Sequence, residues 1–66
     1  MVNIQERVTR EELRGFGMLE SRDYRLPSQD AIDSLSSTKS QMKKRGYEFK
    51  MASLEEPLTV RITRIK

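Results

Sequence analysis

The sequence predicts an α+β fold in which one main helix packs on a small two- to three-stranded antiparallel sheet. Two segments near the C-terminus, residues 47–51 and 58–65, alternate apolar and polar side chains as half-buried strands do. Between Ser28 and Gly46 the apolar residues instead repeat with the period of a helix. A chain of 66 residues is long enough for one domain only. We divide the domain, residues 1–66, into an irregular N-terminal segment, residues 1–26, and a helix plus β-hairpin, residues 27–66.

The N-terminal third has the weakest pattern. Val2 and Ile4 alternate loosely, as in a short edge strand or an ordered arm. Thr9 and Glu12 have the spacing of a capping box, which favours a short helix directly after Thr9. Residues 24–26 alternate once before a proline, which suits a brief strand or an extended connection. We therefore expect an irregular segment that contains the signals for one short helix.

The main helix is predicted over residues 29–45. Ser28 is a favourable N-cap residue, and Gly46 stands where helices commonly end in a left-handed conformation. The residues expected to face the sheet are Ala31, Leu35, Thr38 and Met42, with Ile32 beside them.

The hairpin that follows is predicted to bury one face and leave the other in water. This is the usual arrangement of an antiparallel pair packed under a helix. The set expected to face the helix comprises Tyr47, Phe49, Met51, Leu58, Val60 and Ile62. The solvent-facing set comprises Glu48, Lys50, Thr59, Arg61 and Thr63.

Several functional classes are disfavoured by composition. The chain has no cysteine and no histidine, which excludes disulfides, Cys/His zinc sites and histidine-based triads. Residues 15–17 read Gly-Phe-Gly but lack the Lys-Ser/Thr of a phosphate loop. We expect a non-enzymatic protein with no metal, no cofactor and no small-molecule substrate. With neither an apolar leader nor a membrane-spanning run in the sequence, we expect a cytoplasmic location and no membrane contact.

The positive charge is concentrated in the second half of the chain. The net charge is +3, and residues 28–66 hold eight basic against five acidic side chains. This excess predicts a phosphate-contacting surface. The candidate nucleic-acid-binding residues are Lys39, Lys43, Lys44, Arg45, Lys50 and Arg61, supported by Ser37 and Ser40.

A second interpretation of the same charges requires no ligand. Cations in the last turn of a helix complement its macrodipole, which would account for Lys43, Lys44 and Arg45. Lysine on the wet face of a strand also discourages pairing between sheets. The macrodipole does not require Lys50 and Arg61 on one sheet face, so those two residues favour nucleic-acid contact.

From Leu26 onward the chain resembles small basic domains encoded by bacteriophages. The matching features are Pro27-Ser28, the serine-rich helix over 34–44, the junction Lys44-Arg45-Gly46-Tyr47-Glu48-Phe49 and the closing Arg64-Ile65. The resemblance implies a phage or prophage origin, hence a bacterial host cytoplasm, and a regulatory or DNA-associated role.

Two functions follow as competing hypotheses. The first is a small phage-type regulator that binds nucleic acid, expected to be DNA, through phosphate contacts. The alternative is a phage-type interaction protein that binds and inhibits a host enzyme or defence complex. Arginine is enriched at protein interfaces, and the N-terminal third holds five arginines, which suits the alternative. A homodimer is a third option, because so small a core often gains stability by association.

Overall fold

The computed structural model describes residues 2–66 and contains, within them, six elements of regular secondary structure. They are β1 (Val2–Ile4), α1 (Arg10–Arg14), β2 (Ser21–Arg25), α2 (Gln29–Lys43), β3 (Phe49–Ser53) and β4 (Thr59–Arg64). The predicted α+β class, with one main helix packed on a small sheet, is confirmed.

The sheet differs from the prediction in its N-terminal strands. Four strands lie in the order β1-β2-β4-β3. β4 pairs antiparallel with β2 and with β3, whereas β1 pairs parallel with β2. The prediction of two or three antiparallel strands thus falls short by one strand and misses the parallel pair. The strand β1 has only three residues, so its alternation is too short to show its partner.

Local signals determine where α2 begins and ends. The Ser28 side chain accepts a hydrogen bond from the Ala31 amide at 3.3 Å, as an N-cap residue does. The helix ends at Lys43, two residues before the predicted end. Gly46 then has a φ of +93°, which L-residues rarely adopt, and the chain turns towards β3.

Both helices pack on one face of the sheet and enclose a thin core. Phe16 lies at its centre, edge-on to Phe49 at 5.6 Å and stacked near Tyr24 at 6.4 Å between ring centroids. The buried apolar residues are Val8, Leu13, Phe16, Tyr24, Leu26, Leu35, Met42, Phe49, Val60 and Ile62. Five of the six side chains predicted to face the helix belong to or pack on this core: Tyr47, Phe49, Met51, Val60 and Ile62. The sixth, Leu58, does not, because it precedes β4 with a φ of +56°. The strands occupy residues 49–53 and 59–64, in place of the predicted 47–51 and 58–65.

The opposite face of the sheet, called the open face here, carries exposed side chains that include Arg25, Lys50 and Arg61. Two residues predicted for this face behave differently. Thr59 is buried, and its hydroxyl donates to the Pro57 carbonyl at 3.1 Å. Glu48 precedes β3 and its carboxylate reaches across to Lys43 of α2.

The N-terminal third is more regular than predicted. α1 begins after Thr9, whose hydroxyl accepts from the Glu12 amide at 3.3 Å, as the capping box indicates. The strand β2 forms although three of its five residues are charged. Long-range partners explain this, because β4 pairs with every residue of β2.

Within residues 2–66 no helix has the length and hydrophobicity that crossing a bilayer requires.

Candidate nucleic-acid interface

The structure distributes the predicted phosphate-contacting residues over two sides of the sheet. Six of them belong to α2 or follow it directly: Ser37, Lys39, Ser40, Lys43, Lys44 and Arg45. Lys50 and Arg61 lie on the open face, since side chains alternate along a strand and Phe49 and Ile62 point into the core. The predicted residues therefore do not form one continuous surface, because six lie on or just after α2 and two lie on the open face of the sheet.

Part of the α2 set comes together beside the edge strand β3. Lys39, Ser40 and Lys43 line a hollow of about 180 Å³ with Glu48 and Phe49. The ammonium of Lys43 lies 3.8 Å from the Glu48 carboxylate, and the Lys43 side chain is 71% exposed. So exposed a pair is weak, which leaves Lys43 able to exchange this partner for a phosphate. Ser37 is exposed on α2 but does not line this hollow.

On the open face, Arg61 already has an anionic partner within the protein. Its guanidinium donates to both carboxylate oxygens of Asp23, at 2.8 and 3.2 Å. The bonds from Arg61 hold the pKa of the Asp23 carboxyl below its ordinary value, and Asp23 raises the pKa of Arg61. The charge of Arg61 is thus compensated, which makes it a weaker candidate for phosphate contact than the sequence suggests. Lys50 is exposed on the same face.

Three arginines converge at the end of α2. Arg10 and Arg14 of α1 and Arg45 after α2 line a pocket of about 500 Å³, with Met42 and Tyr47 as its remaining lining residues. We call this feature the arginine pocket. No carboxylate lines it, and within residues 2–66 none of its arginines forms an ion pair. The charged residues that line the pocket are therefore all cations, although Glu11 lines a second hollow with Arg10 and Arg14.

Only one of these three arginines was a candidate from sequence. The spacing of Arg10 and Arg14 by four residues places both on one face of a helix, and that signal was present. What the sequence did not show is that α1 packs beside the C-terminal end of α2. That placement is a tertiary contact.

A hydrogen-bonded clasp holds α1 against β2 and so positions Arg10 and Arg14. The Glu12 carboxylate accepts from the Tyr24 hydroxyl at 2.7 Å and from Arg22 at 3.1 Å. Arg22 also binds the Glu20 carboxylate and donates to the Gly15 carbonyl at 3.3 Å. We call these side chains, Glu12, Glu20, Arg22 and Tyr24, the clasp.

The pKa values of the clasp residues reflect these contacts. Burial, and then the bond to Glu12, raises the pKa of Tyr24 to about 12. The Arg22 guanidinium and the Gly17 amide hold the pKa of Glu20 below its ordinary value. Arg22 also lies 4.4 Å above the Phe16 ring centre and its own pKa is raised, chiefly by Glu20. Arg22 thus has a structural role at the edge of the hydrophobic core.

Arg64 has a similar structural role. Its guanidinium donates to the Phe16 carbonyl at 2.8 Å and lies 5.1 Å from the Tyr47 ring centre. It thereby supports the tyrosine that lines the arginine pocket.

The arginine pocket is chemically suited to binding an anion. Guanidinium groups form paired hydrogen bonds with phosphate oxygens, and the pocket contains neither a carboxylate base nor a nucleophile other than the Tyr47 phenol. Among residues 2–66 no three metal-ligating side chains come together.

Three exposed apolar residues lie at one end of the sheet. The exposed fractions are 61% for Met18, 71% for Leu19 and 44% for Ile65. The Leu19 amide donates to the Arg64 carbonyl at 2.9 Å, which brings the turn at residues 17–20 next to Ile65. Leu19 has a φ of +63°, which is unfavourable for leucine. We call Met18, Leu19 and Ile65 the apolar tip.

Comparisons with known proteins add no relative to this description. No protein-family model matches the chain, and neither a curated protein nor a solved structure matches it.

Proposed function

We propose that this chain is a small, non-enzymatic nucleic-acid-binding protein, a regulator of the phage type acting in the bacterial cytoplasm. The observation that carries the proposal is the group of cations at the end of α2, namely Lys39, Lys43, Lys44 and Arg45. The arginine pocket extends this group onto a second helix through Arg10 and Arg14. Contacts to the phosphates of DNA would be its main interaction, because phosphate contacts dominate the affinity of basic proteins for nucleic acid.

Helix electrostatics accounts for Arg14 and Arg45, which lie at the C-terminal ends of α1 and α2, but not for Arg10. Cations in the last turn of α2 complement its macrodipole, but Arg10 is the first residue of α1. The start of a helix favours anions over cations. Arg10 nevertheless lines the pocket together with Arg14 and Arg45. A bound phosphate would give all three cations an anionic partner.

The test is the salt dependence of oligonucleotide binding. We expect Lys39→Gln with Lys44→Gln to weaken binding to a DNA duplex and to reduce the slope of log K against log salt. Each lost duplex phosphate contact lowers that slope by about 0.9. Lys43 is left in place because it pairs with Glu48.

The matched control is Arg7→Gln with Arg25→Gln, which removes two exposed cations elsewhere. Fluorescence anisotropy between 50 and 300 mM salt, roughly the range over which such contacts weaken, measures both variants. An unchanged slope in the lysine variant would overturn the proposal, as would an equal loss in the control.

The apolar tip favours a second candidate function, an interaction protein that inhibits a host enzyme or defence complex. Exposed apolar residues held at a strained turn are suited to a protein contact. We expect such a partner to be recovered from host lysate after nuclease treatment and to be lost with Leu19→Asp. Recovery that depends on nucleic acid would contradict this candidate and favour the first.

A further inference from the structure

The arginine pocket has more charge than a phosphate within a nucleic-acid strand requires. An internal phosphodiester carries one negative charge and two free oxygens. A phosphate monoester has up to two negative charges near neutral pH and three free oxygens. Arg10, Arg14 and Arg45 offer three planar guanidinium groups around one cavity. Three converging arginines thus match a monoester more closely than they match a diester.

The size and shape of the pocket agree with this match. Its volume of about 500 Å³ lies within the range of about 300–1,000 Å³ typical of small-ligand sites. It exceeds what a phosphate group fills, and the half-buried Tyr47 also lines it, whereas Met42 is only 1% exposed. A strand end can enter a concave site with its terminal nucleotide, whereas an internal phosphate must lead the chain out on both sides.

We infer that the arginine pocket binds a phosphate monoester, the group carried by the terminal nucleotide of a 5′-phosphorylated strand and by free mononucleotides. As a statement about strand ends, the inference rests on the proposed function and narrows it to nucleic acid with a phosphorylated terminus. Arg10, Arg14 and Arg45 bind the phosphate oxygens, and the terminal nucleoside lies beside Tyr47.

The experiment compares oligonucleotides of one sequence that end in a 5′-phosphate or a 5′-hydroxyl, with adenosine monophosphate and inorganic phosphate as separate probes. Titrations are run in a chloride buffer without phosphate. We expect the wild-type chain to bind the phosphorylated strand about tenfold more tightly, since hydrogen bonds between charged groups are strong. Arg10→Gln with Arg14→Gln should abolish the preference. Arg7→Gln with Arg25→Gln removes the same charge elsewhere and should retain it.

Folding of the pocket variant is checked by circular dichroism, and Arg45→Gln tests the same site from the other helix. Equal binding of both strands by the wild type overturns the inference, and salt-dependent binding in that case leaves the proposed function standing. Binding of adenosine monophosphate or inorganic phosphate, lost with Arg45→Gln, without any strand binding supports the monoester site and overturns the nucleic-acid function. A preference that survives both pocket variants overturns the inference.

Discussion

Asp23 and Arg61 show how a residue on a water-facing surface acquires a structural role. They lie directly opposite each other on β2 and β4, and both project from the open face. The alternation of the hairpin correctly placed Arg61 on that face. It did not show the partner, because β2 is a charged segment whose pairing with β4 depends on residues about forty positions away.

The pair predicts how stability depends on pH. The pKa of Asp23 is lower in the folded chain than its ordinary value of 3.8, chiefly because Arg61 donates to its carboxylate. The pair therefore contributes stability at neutral pH, and that contribution is lost as the pH falls below the ordinary value. We expect Asp23→Asn to lower stability at pH 7 and to flatten its decline in acid, as measured by urea unfolding.

Glu55→Gln is the control for this experiment, because Glu55 is exposed in the segment between β3 and β4 and no ion pair within residues 2–66 includes it. It should retain the acid dependence of the wild type. An acid profile that Asp23→Asn leaves unchanged would contradict the assigned role.

Leu19 provides a second test at a single residue. At an ordinary position glycine is less stable than alanine by about 0.5–1 kcal/mol. The φ of +63° at Leu19 reverses this order, because alanine keeps the left-handed strain of about 1–2 kcal/mol and glycine does not. We expect Leu19→Gly to be more stable than Leu19→Ala, by about 1 kcal/mol. Thermal unfolding of both variants measures this difference. A Leu19→Ala variant more stable than Leu19→Gly would show that the turn is unstrained.

Among the elements, α1 depends most on its surroundings. It has five residues, far fewer than the roughly 12–15 that an isolated helix needs in water. Its cap at Thr9 is local, but the clasp attaches it to β2 through Glu12. The position of Arg10 and Arg14 in the arginine pocket therefore depends on a residue that does not line it.

This dependence predicts an effect opposite to simple electrostatics. Glu12→Ala makes the chain more positive, which alone would strengthen binding of an anion. We expect it instead to weaken binding of the 5′-phosphorylated strand, because α1 loosens and its arginines lose their alignment. Faster amide hydrogen exchange in α1 should accompany the loss.

Glu56→Ala is the matched control, since Glu56 is exposed in the segment between β3 and β4 and its removal changes the net charge equally. This variant should leave amide hydrogen exchange in α1 and the alignment of Arg10 and Arg14 unchanged. If the two variants bind alike, the clasp does not position the pocket.

The elements also show what sequence alone can predict. The start of α2, its end to within two residues and the core-facing residues of β3 and β4 follow from local signals, namely Ser28, Gly46 and the alternation of apolar residues. The strands β1 and β2 lacked such signals, because one is short and the other charged. The candidate site divides in the same way. Arg45 was predicted, whereas Arg10 and Arg14 joined it through helix packing that no local pattern specifies.

At the scale of the whole molecule, the core depends on very few side chains. Phe16 contacts Tyr24 of β2, Phe49 of β3 and the Arg22 guanidinium. It joins the segment after α1 to strands on both sides of β4. Loss of such a ring costs about 3–5 kcal/mol, and a chain of 66 residues has a total stability of about 3–10 kcal/mol.

We therefore expect Phe16→Ala to be largely unfolded at 37 °C, about the upper working temperature of a mesophilic host and below the usual range of domain melting. Met18→Ala, two residues away but 61% exposed, should melt within a few degrees of the wild type. Near-ultraviolet circular dichroism and thermal melting measure both. A cooperative, wild-type-like transition in the Phe16 variant would show that the core does not depend on this ring.

The position of β4 also bears on how the chain folds as it is made. This strand lies between β2 and β3 in the sheet, yet it is the last of the six described elements along the chain. As long as the residues after 58 have not emerged from the ribosome, β2 and β3 have no strand between them. Val60 and Ile62 are then also missing from the core. Folding is therefore expected to begin only after β4 has left the exit tunnel, so that stalled translation products of this protein would be exposed to proteases along nearly their whole length.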